Sequence, residues 1–280
     1  MVENRPWANV FAHTVLIIGV ALVVFPVYIA IVASTQAPYE LLRGTLPLLP
    51  GSYGIENYTQ MWQSGVSSSN SPPAALMLWN SFVMAMAITV GKLFISLLSA
   101  FAIVYFRFRF RIFFFWLIFV TLMLPVEVRI IPTFQVVANL NMLNSFAGLS
   151  IPLIASATAT FLFRQFFMTI PEEMLEAARV DGAGPMKFFK DILMPLSVTN
   201  IAALFVIMFI YGWNQYLWPL LITTDPDYTT IVMGIQRMTS EENPQWHLVM
   251  AAVVMAALPP VLVILFMQRL FVKGLTETEK

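Results

Sequence analysis

Thr169-Ile-Pro-Glu-Glu-Met-Leu-Glu-Ala-Ala-Arg-Val-Asp-Gly182, continuing as Ala183-Gly-Pro-Met-Lys-Phe-Phe-Lys-Asp-Ile-Leu-Met-Pro195, is a charged stretch with apolar sequence on both sides. Thr169 and Glu172 have the spacing of a capping box, and Pro171 suits a first helical turn. Gly182 is a natural stop, because glycine takes positive φ without steric cost. A second short helix starts near Pro185 and runs through Ile192, until Pro195 opens the next apolar run. The stretch predicts a compact helix–turn–helix over 169–195. Glu176, Ala177 and Ala178 lie on its first helix, with Met174 and Leu175 beside them.

The flanking sequence is built for lipid. Of the 280 residues, 59% are hydrophobic and 11% charged, against roughly 45–50% and 25% in soluble domains. A spanning helix needs about 20 mostly apolar residues, since the hydrocarbon core is roughly 30 Å thick. Six stretches qualify, at about 11–33, 76–104, 112–133, 146–163, 198–222 and 248–271. The first has no small-residue cleavage site after it and reads as a retained helix, not a signal peptide. The second carries a single charge, Lys92, and the third is expected to bend at Pro125. The pattern predicts an all-α membrane protein with six transmembrane helices, forming one domain over 1–280.

Basic residues in the loops orient such a chain. With the amino terminus inside, Arg5, Arg107, Arg109, Arg111, Arg164, Arg179, Lys187, Lys190, Arg269, Lys273 and Lys280 fall on the cytoplasmic side; Arg43, Arg129 and Arg237 fall outside. Both termini and the 169–195 loop are therefore expected in the cytoplasm. The outer segments 34–75 and 223–247 are long, which means binding surface or disorder.

Several classes of function are excluded. The 15 basic and 15 acidic residues balance, so the electrostatic footprint of a nucleic-acid binder is missing. There is no cysteine, hence no disulfide, thiolate metal site or thiol nucleophile. No Gly-x-x-x-x-Gly-Lys-[Ser/Thr] run exists to cradle ATP phosphates. His13 and His247 stand alone, which fits structural or interfacial roles better than a metal site. No cofactor is expected in this chain.

A Glu-Ala-Ala triplet carries no information by itself, but the longer pattern does. Glu176-Ala177-Ala178 is followed by three residues, Gly182, nine residues, Ile192, one residue and Met194-Pro195. This resembles the EAA loop of permease subunits of ATP-binding-cassette importers, in spacing and in its place between the penultimate spans. Met194 stands where that family usually has leucine. The resemblance implies a type I ABC importer permease fold whose first loop helix sits in a groove of an ATPase subunit. It assigns coupling roles to Met174, Leu175, Glu176, Ala177, Ala178 and Gly182. Small residues admit another backbone, and an acid beside them fixes orientation by pairing with a base. The plainer alternative is an amphipathic loop lying on the bilayer.

Asn80-Ser81-Phe82, Ala100-Phe101-Ala102, Gly212-Trp213-Asn214, Leu217-Trp218-Pro219, Gln268-Arg269 and Gly274-Leu275-Thr276 look like maltose-type carbohydrate-uptake permeases. Glu3-Asn4-Arg5-Pro6-Trp7, Leu124-Pro125-Val126-Glu127-Val128-Arg129 and Ala155-Ser156-Ala157-Thr158-Ala159-Thr160 look more like the second permease subunit of sn-glycerol 3-phosphate importers. That resemblance implies a multi-pass transport subunit, not an enzyme, in a bacterial inner membrane. Its partners would be a second, different permease, an ATPase dimer binding ATP and Mg, a periplasmic binding protein and membrane lipid. Its cargo would be sn-glycerol 3-phosphate, with glycerophosphodiesters as further candidates and a related sugar as the alternative. The segment from Gly234 to Trp246 would contact the binding protein. The short charged end Glu277-Thr278-Glu279-Lys280 departs from the small-residue tail of maltose-type permeases, so that tail's contact with the ATPase is not carried over.

Candidate pathway residues follow from polarity within the spans. A charge near mid-span, as at Lys92, costs at least roughly 2.5–3.5 kcal/mol on insertion scales, so it faces protein or water. Lys92 either attracts a phosphate-bearing cargo or makes a structural hydrogen bond or ion pair. Arg129 offers phosphate a bidentate fork; alternatively, Glu127 beside it pairs with a base on the partner permease. Tyr211, Gln215 and Trp218 recur at i, i+4 and i+7 on one face of the fifth span, with Asn214 adjacent, and that face either lines the pathway or packs. A polytopic lipid-modifying enzyme would need acidic or His residues converging at one membrane face, and none gather. A passive channel leaves the helix–turn–helix unexplained.

Overall fold

The computed structural model describes residues 6–41, 47–121, 126–155 and 157–277. Arg5, Arg43, Pro125, Ser156 and Thr278-Glu279-Lys280 lie outside them, as do the side chains of Glu127, Arg269 and Lys273. The described residues form helices α1 (Pro6–Ala33), α2 (Pro38–Leu41), α3 (Gly54–Gln63), α4 (Ala74–Tyr105), α5 (Arg111–Val120), α6 (Val126–Asn139) and α7 (Phe146–Ile154). After these come α8 (Ala157–Phe167), α9 (Glu172–Val180), α10 (Pro185–Leu196), α11 (Val198–Trp213), α12 (Leu217–Ile222), α13 (Ile231–Thr239) and α14 (Trp246–Glu277). The β-structure among them is one isolated bridge, Val66 to Ser71.

Three continuous helices are long and apolar enough to cross a membrane: Asn9–Ala33 within α1, all of α4, and Trp246–Gln268 within α14. Two bent pairs, α7 with α8 and α10 with α11, reach that length together. The stretch expected as the third span appears as the ten-residue apolar α5 and as α6, on either side of residues 122–125. The described helices thus supply three to five candidate spans where the sequence predicts six.

The fifth stretch departs from the expected single helix over 198–222. α11 ends at Trp213, and Asn214-Gln215-Tyr216 leave the helix before α12 begins. Pro219 explains the break: a helix running through it would lose one hydrogen bond and drive the ring into the carbonyl of Gln215, four residues back. At the start of α12 the proline does no such harm, because a first turn has no intrahelical partners for its N–H groups. Pro195 acts similarly on α10. Phe189–Leu193 is a π-turn in which the Met194 N–H reaches the Phe189 carbonyl, so the register shifts just before the residue that cannot donate. α10 then meets α11 at an angle of 73° at Ser197, whose buried hydroxyl donates to the Leu193 carbonyl at 2.5 Å.

The chain divides into two compact units. The first, residues 1–76 with 234–258, contains most of the two long segments 34–75 and 223–247. These are built structure. Asn57 Nδ2 donates to the carbonyls of Ser34 and Gln36 at 2.9 Å, and Gln36 Nε2 donates to Leu49 at 2.7 Å. The Ser68 hydroxyl meets both oxygens of Glu241 at 3.0 and 2.9 Å, which ties the segment 34–75 to the segment 223–247.

The second unit, residues 77–233 with 259–280, holds two apolar cores strung along α4. One gathers Met84, Ile88, Ile130, Val137, Leu149, Trp218 and Ile222; there the Trp218 indole N–H donates to the Gly148 carbonyl at 3.1 Å. The other gathers Leu93, Leu97, Phe101, Phe163, Phe167, Ala178, Phe188, Leu193, Leu204 and Met208. Lipid tails are as apolar as these side chains, so close packing rather than transfer from water favours such contacts within the membrane. Gly212 shows how close: a Cβ there would stand 3.0 Å from the Ala85 Cα of α4. Gly212→Leu is expected to force α4 and α11 apart and cost about 1–3 kcal/mol, read as a lower midpoint in thermal unfolding of the detergent-purified chain.

Candidate functional site

The loop at 169–195 folds as the helix–turn–helix that its sequence predicts, but its first cap differs. Thr169 does not cap α9; its hydroxyl donates back to the Phe166 carbonyl at 2.7 Å and closes the end of α8. Pro171 takes the N-cap position with no side-chain hydrogen bond, and Met174 N–H reaches its carbonyl. The ring leaves Pro171 without a donor, and Glu172 and Glu173 place negative charge where the helix exposes free N–H groups. At the other end Gly182 adopts φ +74°. Its N–H bonds to the Arg179 carbonyl at 3.0 Å, while the Ala183 N–H bonds to Ala178 at 2.8 Å. That pair is a Schellman closure, which requires a left-handed residue.

The two faces of α9 have different surroundings. Leu175 and Ala178 turn inward, and Ala178 is buried in the same core as Phe167, Phe188 and Leu193. The small size expected of Ala178 for admitting another chain therefore serves packing within this one. Glu173, Glu176, Ala177 and Val180, at i, i+3, i+4 and i+7, are exposed, and Val180 shows 87% of its surface. Met174 is exposed at the margin, and Met186 on α10 is exposed as well. Val180 and Met186 escaped the sequence reading. The four-residue step from Glu176 to Val180 was the available signal, hidden because an isolated valine at a helix end looks like filler.

Aromatic contacts fasten this loop to the end of α4. Phe189 packs on Phe101 with ring centroids 4.9 Å apart, and Phe188 meets Tyr105 edge-on at 5.2 Å. The Tyr105 hydroxyl donates to the Phe167 carbonyl at 3.2 Å. The end of α4 is thus joined to the α9–α10 pair through ring contacts and to α8 through a hydrogen bond.

Further along α4, Lys92 is buried, and its Nζ stands 3.8 Å from the centre of the Tyr211 ring on α11. This cation–π contact compensates a charge within apolar surroundings. Arg129 is exposed on α6. Asn214 is exposed, and Gln215 is half-buried with its Nε2 donating to the Tyr211 carbonyl at 3.1 Å. The helical face expected from Tyr211, Gln215 and Trp218 does not exist, because the helix breaks between them. Tyr211 instead holds Lys92, and Trp218 is packed against α7. The Glu127 side chain lies outside the described residues. Among the described residues no group of His, Cys, Asp and Glu could hold a metal ion.

No Cβ at position 182 would meet any atom within 4 Å, so a side chain there costs only the left-handed backbone, about 1–2 kcal/mol. Gly182→Ala is expected to speed hydrogen exchange across 172–183. Gly182→Asn, which tolerates that conformation, is expected to restore most of the protection.

Comparison with known proteins places this geometry. Residues 92–277 match the model of a family described as binding-protein-dependent transport system inner membrane component. The chain is 60% identical over its full length to the sn-glycerol-3-phosphate transport system permease protein UgpE of Escherichia coli O6:H1 strain CFT073, covering all of that protein. It is 59% identical, again over both full lengths, to the proteins of that name from Escherichia coli K12 and Shigella flexneri serotype 5b. In fold it is similar to a chain of a bacterial ABC transporter involved in the import of the acidic polysaccharide alginate. That match has a TM-score of 0.76 at 20% identity and covers 96% of this chain and 98% of the other. The chain belongs to the family of inner membrane components of binding-protein-dependent transport systems.

Proposed function

We propose that this chain is one of two different permease subunits of an ATP-driven importer for sn-glycerol 3-phosphate, with glycerophosphodiesters as further cargo. The observation that carries this reading is the full-length identity of 59–60% to permeases named for that transport system. In this reading an ATPase dimer holds ATP and Mg, a binding protein delivers cargo to the outer face, and both termini lie in the cytoplasm. The outward face of α9, with Glu173, Glu176, Ala177 and Val180, enters a groove of the ATPase, where Glu176 pairs with a base. Closure of the ATPase moves α9 and α10 together. The contacts of Phe188 and Phe189 with Tyr105 and Phe101 hand that motion to α4, which carries Lys92. Lys92 and Arg129 supply the positive field that draws a phosphate along the pathway.

Binding-protein-stimulated ATPase activity of the importer in liposomes tests the cargo. Stimulation by glycerol 3-phosphate is expected; stimulation by maltose alone would overturn the assignment. Glu176→Lys is expected to release the ATPase subunit on co-purification, and retention at the normal ratio would remove Glu176 from the contact. Lys92→Met is expected to lower uptake at least about tenfold, the effect of losing roughly 1.4 kcal/mol. Unchanged uptake with normal assembly would take Lys92 out of the pathway.

A further inference from the structure

Phe106-Arg107-Phe108-Arg109-Phe110-Arg111 joins α4 to α5, and its first five residues are not helical. Three guanidinium groups in five positions stand in a stretch that has no Asp or Glu between Glu56 and Glu127. Residues 107–113 line an open depression of about 440 Å³ on the surface. Arg107 and Arg109 are exposed, Arg111 is half-buried, and no ion pair engages any of them among the described residues.

A fourth arginine arrives from another helix. Arg164 of α8 places its Cζ 4.2 Å from the Phe115 ring, and Phe115 lies one turn along α5 from Arg111, on the same face. Its Nε is buried without a hydrogen-bond partner. Arg164 thus stands against α5 one turn beyond Arg111, outside the lining of the depression itself. Exposed rings share this surface: Phe110 and Phe113 line the depression with the arginines, and Trp116 lies further along α5. Contacts of Phe108 and Phe113 with Phe114 stiffen that wall.

We propose that this loop binds the headgroup phosphate of an anionic phospholipid, with the acyl chains running along the exposed rings of α5. A planar guanidinium fork suits phosphate oxygens, and a basic pocket at the end of membrane helices suits an anionic lipid. Free phosphate would use the arginines and leave the aromatic wall idle; a phospholipid uses both. The site adjoins the coupling loop, since Phe106 packs edge-on against Phe101 at 5.3 Å and Phe101 also holds Phe189. Bound lipid would steady the end of α4 where α10 pushes on it. The proposal requires only that the chain lies in a membrane and is independent of the cargo.

The test is native mass spectrometry of the assembled importer released from nanodiscs of phosphatidylglycerol and phosphatidylcholine. Wild type is expected to retain phosphatidylglycerol selectively. R107Q/R109Q is expected to lower its occupancy by roughly fivefold per arginine removed. R107K/R109K keeps the charge that orients the spans and is expected to keep the preference for phosphatidylglycerol over phosphatidylcholine. Wild-type retention by the glutamine variant overturns the proposal, as does loss of selectivity in an assembled lysine variant. Displacement of the lipid by millimolar inorganic phosphate also overturns it, as does release of the ATPase subunit with lipid occupancy unchanged, which would mark the loop as a protein contact.

Discussion

Phe188 and Phe189 close on Tyr105 and Phe101, and much of the second unit depends on that aromatic clamp. Ala178, Leu193 and Leu175 already pack the α9–α10 pair into a core with Phe163 and Phe167, and the clamp extends that attachment to the end of α4. With it, the hairpin shares a core with α4, α8 and α11. Aromatic pairs have preferred geometries and add roughly 0.5–1.5 kcal/mol beyond their buried area. The clamp therefore resists sliding as well as separation.

The helices around the clamp are shaped by a second constraint: backbone groups inside a bilayer need partners within the protein. Pro195 and Pro219 each remove a donor, and the chain answers each locally. Ahead of Pro195 it shifts into a π-turn, and ahead of Pro219 it breaks the helix and restarts. The Ser197 hydroxyl and the Gln215 amide then take up carbonyls near the irregular segments. Gln215, a candidate for pathway lining, thus has a structural share at the end of α11. Lys92 is similar, because its contact with Tyr211 satisfies the charge and at the same time links α4 to α11.

How far residues could be assigned from sequence depended on whether their reasons were local. Gly182 was legible because a helix stop with positive φ is a property of a few consecutive residues. Thr169 was misread because α9 starts two residues later than the capping-box spacing assumed, with Pro171 at the N-cap, and the Thr169 hydroxyl donates to Phe166 instead. The burial of Ala178 was not legible, because an alanine is small whether it faces a partner or its own core, and spacing cannot tell the two apart. Tyr211, Gln215 and Trp218 were grouped on the assumption of an unbroken helix, although Pro219 stood one residue beyond them as a warning.

Composition, the apolar stretches and the helix–turn–helix pattern were determined by sequence alone, because each rests on periodicity and on the chemistry of neighbouring residues. Which side of α9 faces outward, what holds Lys92, and how the outer segments tie to one another were decided by tertiary structure. Those outcomes depend on contacts between residues far apart in the chain, such as Lys92 with Tyr211, Phe189 with Phe101 and Ser68 with Glu241. No local pattern records such pairs, since each residue's own neighbours are equally compatible with many distant partners.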